Sequence, residues 1–237
     1  MSSAQARRAA LGVSCVALLV VLAVAVRSCA DGGGARSAAD REAARRSAVR
    51  LTAFGCSRVG QVGMGAMVEG GLVATVAHVV AGSTEIVAVA ADGRTSPATV
   101  VAIDREKDLA LLAVDLDLPP LSLGAPTAGV AGSYVVWRAD APAVIDTELT
   151  RLVSLTAPTI DHDSTAERMG VQIAAEVVSG DSGSVVVSGG RAVAMVFARS
   201  TQSVDRGWAT DVAELSPLLS GLDPGVTPAP VDVGACS

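Results

Sequence analysis

Short apolar runs separated by turn residues fill the sequence from Leu51 onward, and this spacing constrains the fold more than any other feature. The runs are four to eight residues long and rich in Val, whose branched β-carbon favours strands over helices. Only 2% of the residues are aromatic and 24 are Gly, so we expect a core of Val, Ala, Leu and Ile with many tight turns. Short strands at this density predict an all-β sandwich or barrel architecture.

We predict eleven strands and one short C-terminal helix from this pattern. The helix covers Val212–Leu219. The predicted strands are Val62–Val68, Leu72–Thr75, Ile86–Ala90, Thr99–Ile103, Leu109–Val114, Tyr134–Arg138, Glu148–Leu155, Val171–Ala175, Ser184–Val187, Ala192–Ala198 and Trp208–Asp211.

An uncharged run near the N-terminus predicts a transmembrane helix. Ala9–Val26 contains 18 residues without a charge, about the shortest helix that spans the hydrocarbon core of a bilayer. Arg7 and Arg8 precede the run, so the positive-inside rule places residues 1–8 in the cytoplasm. A cleaved signal peptide is the main alternative, because Ser28-Cys29-Ala30 resembles a small-x-small cleavage site. Both interpretations place the rest of the chain on the periplasmic or extracellular side.

Residues 27–50 are predicted to be a flexible spacer between the anchor and a globular domain over residues 51–237. They combine a Gly triplet with a polar Ala/Arg/Ser-rich stretch that shows no apolar face. The charge balance also changes along the chain. Residues 1–50 hold eight Arg and three acidic residues, whereas residues 51–237 hold ten basic and 21 acidic residues. An acidic domain argues against nucleic acid as a partner, because nucleic-acid binding needs a basic surface.

Cysteine usage agrees with export. Cys56 and Cys236 lie near the two ends of the globular part, where they can pair in an oxidising compartment or remain two unpaired thiols. Cys15 and Cys29 lie within and just after the apolar run. No Cys or His pair has the spacing of zinc ligands, so we expect no metal site. Nothing in the sequence indicates a cofactor, and the oligomeric state is left open.

The segment Ser179-Gly180-Asp181-Ser182-Gly183-Ser184 carries the sharpest chemical signal. A serine hydroxyl is a poor nucleophile unless a base takes its proton and backbone amides stabilise the oxyanion. Glycines next to Ser182 permit a tight turn that exposes the hydroxyl, and the N–H groups of Gly180 and Ser182 would then form the oxyanion hole. An ordinary turn between two strands is the alternative, so the interpretation requires a base.

His78 is the candidate base, and Asp108 is the candidate acid that orients it. His78 ends an apolar strand, so we expect it at the rim of a barrel. The other histidine, His162, lies in a polar Asp-His-Asp stretch and is the weaker candidate. Asp108 opens the apolar strand Leu109–Val114, where its carboxylate can accept a hydrogen bond from the histidine. Asp104 is the nearest competing acid and is expected on the surface.

The three candidates occur in the order His, Asp, Ser with separations of 30 and 74 residues, which is the order of chymotrypsin-like enzymes. Four segments resemble the motifs of trypsin-like serine peptidases: Gly63-Met64-Gly65-Ala66, Thr75-Val76-Ala77-His78, Asp108-Leu109-Ala110-Leu111-Leu112 and Gly180-Asp181-Ser182-Gly183. Because Cys56 and Gly234-Ala235-Cys236 frame the domain, the resemblance is greatest to the membrane-anchored periplasmic serine proteases of mycobacteria.

This resemblance covers residues 51–237 and implies two six-stranded antiparallel β-barrels with the active site in the cleft between them. It implies that His78, Asp108 and Ser182 form a catalytic triad, and it supports a disulfide between Cys56 and Cys236. By the same resemblance, a substrate pocket is expected near Glu176, Phe197 and Arg199.

The expected function is therefore a membrane-tethered extracytoplasmic serine endopeptidase that acts on proteins or peptides. One departure from the family pattern leaves an alternative. Ser184 occupies a position where the family usually has Gly, and a side chain there would crowd the turn. The alternative is a catalytically inactive protease-like domain that binds peptides or a partner protein at the cell envelope.

Overall fold

A computed structural model describes residues 37–55, 60–223 and 228–234 of the chain. The chain divides into two units, Met1–Ala38 and Ala39–Ser237, and nearly all described residues belong to the second. A helix α1 (residues 37–47) opens the described part. The elements that follow are β1 (Ala48–Gly55), β2 (Gln61–Val68), β3 (Leu72–Thr75), α2 (Ala77–Val80), β4 (Ser83–Ala90), β5 (Thr95–Asp104), β6 (Leu109–Val114), β7 (Val130–Arg138), β8 (Ala141–Pro158), β9 (Thr165–Ile173), β10 (Val185–Ser188), β11 (Arg191–Arg199), β12 (Gly207–Asp211), a 3-10 turn (Val212–Leu215) and α3 (Ser216–Ser220).

The strands close into two antiparallel barrels. Barrel 1 has the strand order β1-β2-β3-β6-β5-β4, and barrel 2 has the order β10-β11-β12-β9-β8-β7. Alternate residues point into each barrel, as strand geometry requires. Val49 and Leu51 of β1 are fully buried in barrel 1, and Leu149 and Ile173 are fully buried in barrel 2. Each such aliphatic side chain stabilises the fold by about 1.5–3 kcal/mol. The prediction of an all-β fold with two six-stranded barrels is confirmed.

All eleven predicted strands correspond to strands of the fold, although the ends of several differ, and β1 was not predicted. Glu148–Leu155 is the middle of a much longer strand, β8, whose first half pairs with β7 and whose second half pairs with β9. The predicted helix Val212–Leu219 is divided into the 3-10 turn and α3. Pro217 lies in the first turn of α3, where its missing N–H costs nothing.

Helix α1 corrects the predicted spacer over its second half. Asp40, which is 5% exposed, accepts a 2.7 Å hydrogen bond from the N–H of Gly190 in the β10–β11 hairpin. Ala44 is also buried, and Ser47 donates to the Pro119 carbonyl at 2.6 Å. Residues 37–50 therefore form helix α1 and the start of β1 and not a flexible spacer. Small side chains on one face of α1 allow it to pack closely without large apolar residues.

Two further expectations concern residues outside the described part. Neither the predicted transmembrane helix Ala9–Val26 nor the predicted Cys56–Cys236 disulfide involves described residues. Within residues 37–55, 60–223 and 228–234, no helix has the length and apolar character needed to cross a bilayer.

Candidate active site

His78 and Asp108 form a doubly hydrogen-bonded pair at one end of barrel 1. His78 lies in the short helix α2 that follows β3, and Asp108 lies in the turn before β6. One carboxylate oxygen of Asp108 accepts the backbone N–H of His78 at 2.8 Å, and the other lies 2.8 Å from its ring Nδ1. A proton on Nδ1 leaves Nε2 as the acceptor, which is the tautomer that a general base needs.

The backbone of Asp108 is adapted to this role. Its φ is 58°, a left-handed conformation that Asp adopts more readily than most residues. The residue is only 5% exposed. The competing acid Asp104 instead accepts the N–H groups of Glu106 and Lys107 at 3.0 and 2.7 Å and so closes the same turn. The structure therefore places Asp108, and not Asp104, beside His78.

A cationic side chain of barrel 2 also reaches the carboxylate of Asp108, and the sequence analysis did not identify it. Arg168 of β9 is 2% exposed, and its Nη1 lies 3.6 Å from a carboxylate oxygen of Asp108. The same Nη1 donates to the Lys107 carbonyl at 2.9 Å, and the guanidinium lies 5.0 Å from the centre of the Phe197 ring. Arg168 thus ties the turn of Asp108 to barrel 2. No local motif could reveal it, because β9 meets that turn only in the folded chain.

The loop that carries Ser182 is pressed against β2 of barrel 1. Gly183 has a φ of 90°, and a β-carbon there would lie 1.9 Å from the carbonyl oxygen of Met64. The N–H of Met64 donates to the Ser182 carbonyl at 2.7 Å. A β-carbon on Gly63 would lie 2.5 Å from the Val79 side chain and 3.0 Å from the Ser182 carbonyl oxygen. Glycine is therefore required on both sides of this contact.

The peptide N–H groups around Ser182 fall into two sets. The N–H groups of Asp181, Gly183 and Ser184 donate to backbone carbonyls. Those of Gly180 and Ser182 have no hydrogen-bond partner among the described residues. Gly180 reaches this geometry with a φ of 94°, which other residues rarely adopt. These are the two amides that the sequence predicts as oxyanion donors.

The Ser182 hydroxyl lies in the same cleft as His78 but is not hydrogen bonded to it. Its Oγ donates to the Phe197 carbonyl of β11 at 3.4 Å. Both residues line one cleft between the barrels, with a volume of about 710 Å³. We call this cleft the catalytic cleft; its lining includes Arg50, Gln61, His78, Trp137, Asp140 and Ser182.

An ion pair holds the residue next to the nucleophile. Asp181 is fully buried, and its two carboxylate oxygens accept hydrogen bonds from Arg138 Nη1 and Nη2 at 2.6 and 2.8 Å. One of these oxygens also accepts the N–H of Val178 at 2.9 Å. Its hydrogen bonds with Asp181 raise the pKa of the Arg138 guanidinium above its ordinary value. Arg138 ends β7, 43 residues before Asp181, so no local motif indicates the pair.

Ser184 does not crowd the turn. Its hydroxyl is buried and donates to the Val135 carbonyl at 2.7 Å, while its N–H donates to the Asp181 carbonyl at 3.0 Å. The position therefore accommodates a serine with its polar groups satisfied. The steric objection that the sequence raised against activity has no basis in the structure.

The predicted substrate-pocket residues do not line the catalytic cleft. Phe197 contributes its carbonyl to Ser182 and its ring to Arg168, whereas Glu176 and Arg199 are exposed. His162 lies in an exposed turn with a φ of 57°. Over residues 37–55, 60–223 and 228–234, no cluster of three His, Cys, Asp or Glu side chains could hold a metal ion.

Two facing barrels, with a histidine–aspartate pair on the first and a glycine-bounded serine on the second, define the chymotrypsin-like class of peptidases. The sequence profile described as "Trypsin-like peptidase domain" matches residues 63–195. The chain therefore belongs to this family.

The most similar curated relatives include serine protease Rv3671c of Mycobacterium tuberculosis. It is 31% identical over 194 residues, which cover 79% of this chain and 48% of the relative. The chain thus spans about half the length of the curated relatives it matches.

Solved structures agree with this assignment. The active form of the M. tuberculosis Rv3671c protease superposes with a TM-score of 0.74 at 28% identity, covering 82% of this chain and 87% of the other. Its inactive form gives a TM-score of 0.65 at 26% identity, covering 78% and 92%. The HtrA-type protease AlgW with a tripeptide shares the fold, with a TM-score of 0.66 at 22% identity and coverage of 78% and 62%.

Proposed function

We propose that the chain is a serine endopeptidase that hydrolyses peptide bonds through a triad of Ser182, His78 and Asp108. The observation that carries this proposal is the combination of an oriented His78 with two unpartnered amides, those of Gly180 and Ser182, in one cleft. An ordinary turn between strands has no reason to keep these amides unpaired beside a histidine whose tautomer is fixed.

The mechanism begins with a rotation of the Ser182 hydroxyl from the Phe197 carbonyl toward Nε2 of His78. Oγ attacks the substrate carbonyl carbon, and its proton passes to Nε2 while the carbonyl oxygen gains the negative charge. The N–H groups of Gly180 and Ser182 stabilise that oxyanion. The C–N bond then breaks as His78 returns the proton to the leaving nitrogen, and water repeats the sequence to release the acid.

Two features support activity over the alternative of an inactive binding domain. The Ser184 hydroxyl has a hydrogen-bond acceptor in place, so the nucleophile loop carries no unsatisfied group there. The chain also superposes better on the active form of the M. tuberculosis protease than on its inactive form, with TM-scores of 0.74 and 0.65. The substrates in this proposal are proteins or peptides, with Glu176, Phe197 and Arg199 near the residues on the acyl side of the cleaved bond.

We further propose that the protease domain is tethered to the extracytoplasmic side of the cell membrane. The uncharged run Ala9–Val26 and the preceding Arg7 and Arg8 support this location. Protease accessibility of the intact domain in spheroplasts, with no cleavage in sealed inside-out vesicles, tests the orientation.

A disulfide between Cys56 and Cys236 belongs to the same proposal. The described residues next to both cysteines meet at one place. Gly55 pairs with Ser83 at the end of β4, and the N–H of the adjacent Gly82 donates to the Val233 carbonyl at 3.0 Å. The two chain segments that lead to the cysteines therefore approach one another, which favours pairing in an oxidising compartment.

The test of the catalytic proposal is labelling of the full-length chain, in detergent, by a fluorophosphonate probe. Labelling at Ser182 and its loss in Ser182→Ala are expected, because the probe reacts only with an activated serine. A folded wild-type chain that is not labelled, or a Ser182→Ala variant that still cleaves peptides, would refute the triad and favour the binding domain.

A further inference from the structure

Arg50 projects from barrel 1 into the catalytic cleft. Its neighbours in β1, Val49 and Leu51, are 0% exposed and point into the barrel, so strand alternation turns Arg50 outward. The outward side of β1 at this point faces barrel 2, and Arg50 lines the cleft together with His78 and Ser182. A fixed positive charge therefore lies within the same cavity as the reacting groups.

The charge of Arg50 is weakly neutralised. Its one side-chain hydrogen bond among the described residues is a 3.5 Å approach of Nη1 to Asp140, whose side chain is 93% exposed. Such an exposed ion pair contributes little and is easily displaced. The Nε of Arg50 is buried and has no partner among the described residues. This contrasts with Arg138, whose guanidinium is fully engaged by Asp181.

The catalytic cleft includes His78, which returns the proton to the leaving nitrogen in the proposed mechanism. Its described lining comes from barrel 1 and from the segments around residues 137–140 and 179–182, and none of it comes from β11. The Ser182 hydroxyl donates to the Phe197 carbonyl of β11, which is not part of that lining. His78 must deliver its proton to the leaving nitrogen, so the part of the substrate that follows the cleaved bond runs past His78 into the cavity that contains Arg50.

We propose that Arg50 binds a carboxylate on the leaving-group side of the substrate. The inference rests on the proposed endopeptidase function and adds a substrate class to it: peptides with an acidic side chain, or a free C-terminal carboxylate, shortly after the cleaved bond. A guanidinium with a desolvated Nε forms charge-assisted and often bidentate hydrogen bonds with carboxylates. Displacement of the exposed Asp140 carboxylate would release Arg50 for this contact.

Partitioning of the acyl-enzyme measures this preference directly. A peptide ester with a nitrophenol leaving group acylates the full-length enzyme, and an added dipeptide then competes with water for the acyl group. The dipeptide amides Ala-Glu, Ala-Gln and Ala-Lys compare side chains, and Ala-Ala as free acid and as amide compares the C-terminus. The ratio of aminolysis to hydrolysis depends on binding in the leaving-group side and not on the acylation rate.

We expect the ratio of aminolysis to hydrolysis to be about tenfold higher for Ala-Glu amide than for Ala-Gln amide, for free Ala-Ala than for Ala-Ala amide, or for both pairs. Arg50→Gln should bring this preference for the acidic acceptor close to one, and Asp140→Asn should increase it. Arg45→Gln, which removes the same charge from exposed helix surface, should leave the ratio unchanged. Equal partitioning in the wild type, a preference for Ala-Lys, or a preference that survives Arg50→Gln overturns the inference. Absence of a nitrophenol burst from the wild type instead refutes the proposed function itself.

Discussion

Arg138 donates two hydrogen bonds, of 2.6 and 2.8 Å, to the buried carboxylate of Asp181, the residue directly before Ser182. The pair fixes the loop from which Gly180 and Ser182 direct their N–H groups into the cleft. Without a cation, the fully buried carboxylate of Asp181 would draw water into the loop or move toward solvent. The amides of Gly180 and Ser182 would then lose their alignment. The alignment of the Gly180 and Ser182 amides therefore depends on a side chain at the end of β7.

Arg138→Gln is expected to inactivate the enzyme and to destabilise it. Loss of the cation leaves the fully buried Asp181 carboxylate unpaired, which costs about 1–3 kcal/mol because the Arg138 side chain is itself 41% exposed, and a disordered oxyanion hole lowers kcat by about a hundredfold or more. Urea denaturation and fluorophosphonate labelling rates measure the two effects. Asp181→Asn in the same chain should recover part of the stability because it removes the unpaired charge. Arg151→Gln, an exposed arginine of β8, is the matched control, and an equal loss there would contradict the role of the pair.

Asp108→Asn is expected to lower kcat by about ten thousandfold while the fold remains intact. Asparagine tolerates the left-handed backbone of residue 108, where φ is 58°. Its amide can still meet the His78 backbone, but it favours the tautomer in which Nε2 carries the proton and cannot act as a base. Steady-state kinetics together with circular dichroism check this. A variant within tenfold of the wild type would exclude Asp108 as the orienting acid.

Gly183→Ala is expected to abolish activity and to destabilise the domain by at least about 3 kcal/mol, the sum of backbone strain and a steric clash. A β-carbon at residue 183 would lie 1.9 Å from the Met64 carbonyl oxygen. Gly93→Ala is a matched control, since Gly93 has a φ of 87° against 90° for Gly183 but nothing within 4 Å of an added β-carbon. It should cost only about 1–2 kcal/mol. Equal losses of stability would show that strain alone, without the barrel contact, explains the glycine.

The sequence predicted the residues whose chemistry is local and missed those whose role depends on the closed barrels. His78, Asp108 and Ser182 each follow or open a recognisable strand or turn, so pattern and spacing were sufficient to select them as candidates. Arg138 and Arg168 act across the fold, on Asp181 and Asp108, and nothing in their own segments distinguishes them from surface arginines. The position of a cation beside a buried carboxylate becomes visible only when distant strands are brought together.

Helix α1 was missed for a different reason. Its buried positions are Asp40, Ala44 and Ser47, which lie on one face at helical spacing. None of the three is a large apolar residue, so a search for an amphipathic pattern finds no stripe. Burial here rests on small size and on specific hydrogen bonds to Gly190 and Pro119. Strand β1 was missed with it, because the predicted spacer extended to residue 50.

The pairing of Cys56 with Cys236 gives the last prediction. A bond that closes a loop of about 180 residues stabilises a domain by up to about 5 kcal/mol, mainly by restricting the unfolded chain. Reduction of the wild-type chain, Cys56→Ser and Cys236→Ser should therefore lower the free energy of unfolding by similar amounts, and reductant should have no further effect on either variant. Urea denaturation with and without dithiothreitol measures this. Cys29→Ser should behave as the wild type, and a wild-type chain that is insensitive to dithiothreitol would show that the two thiols are unpaired.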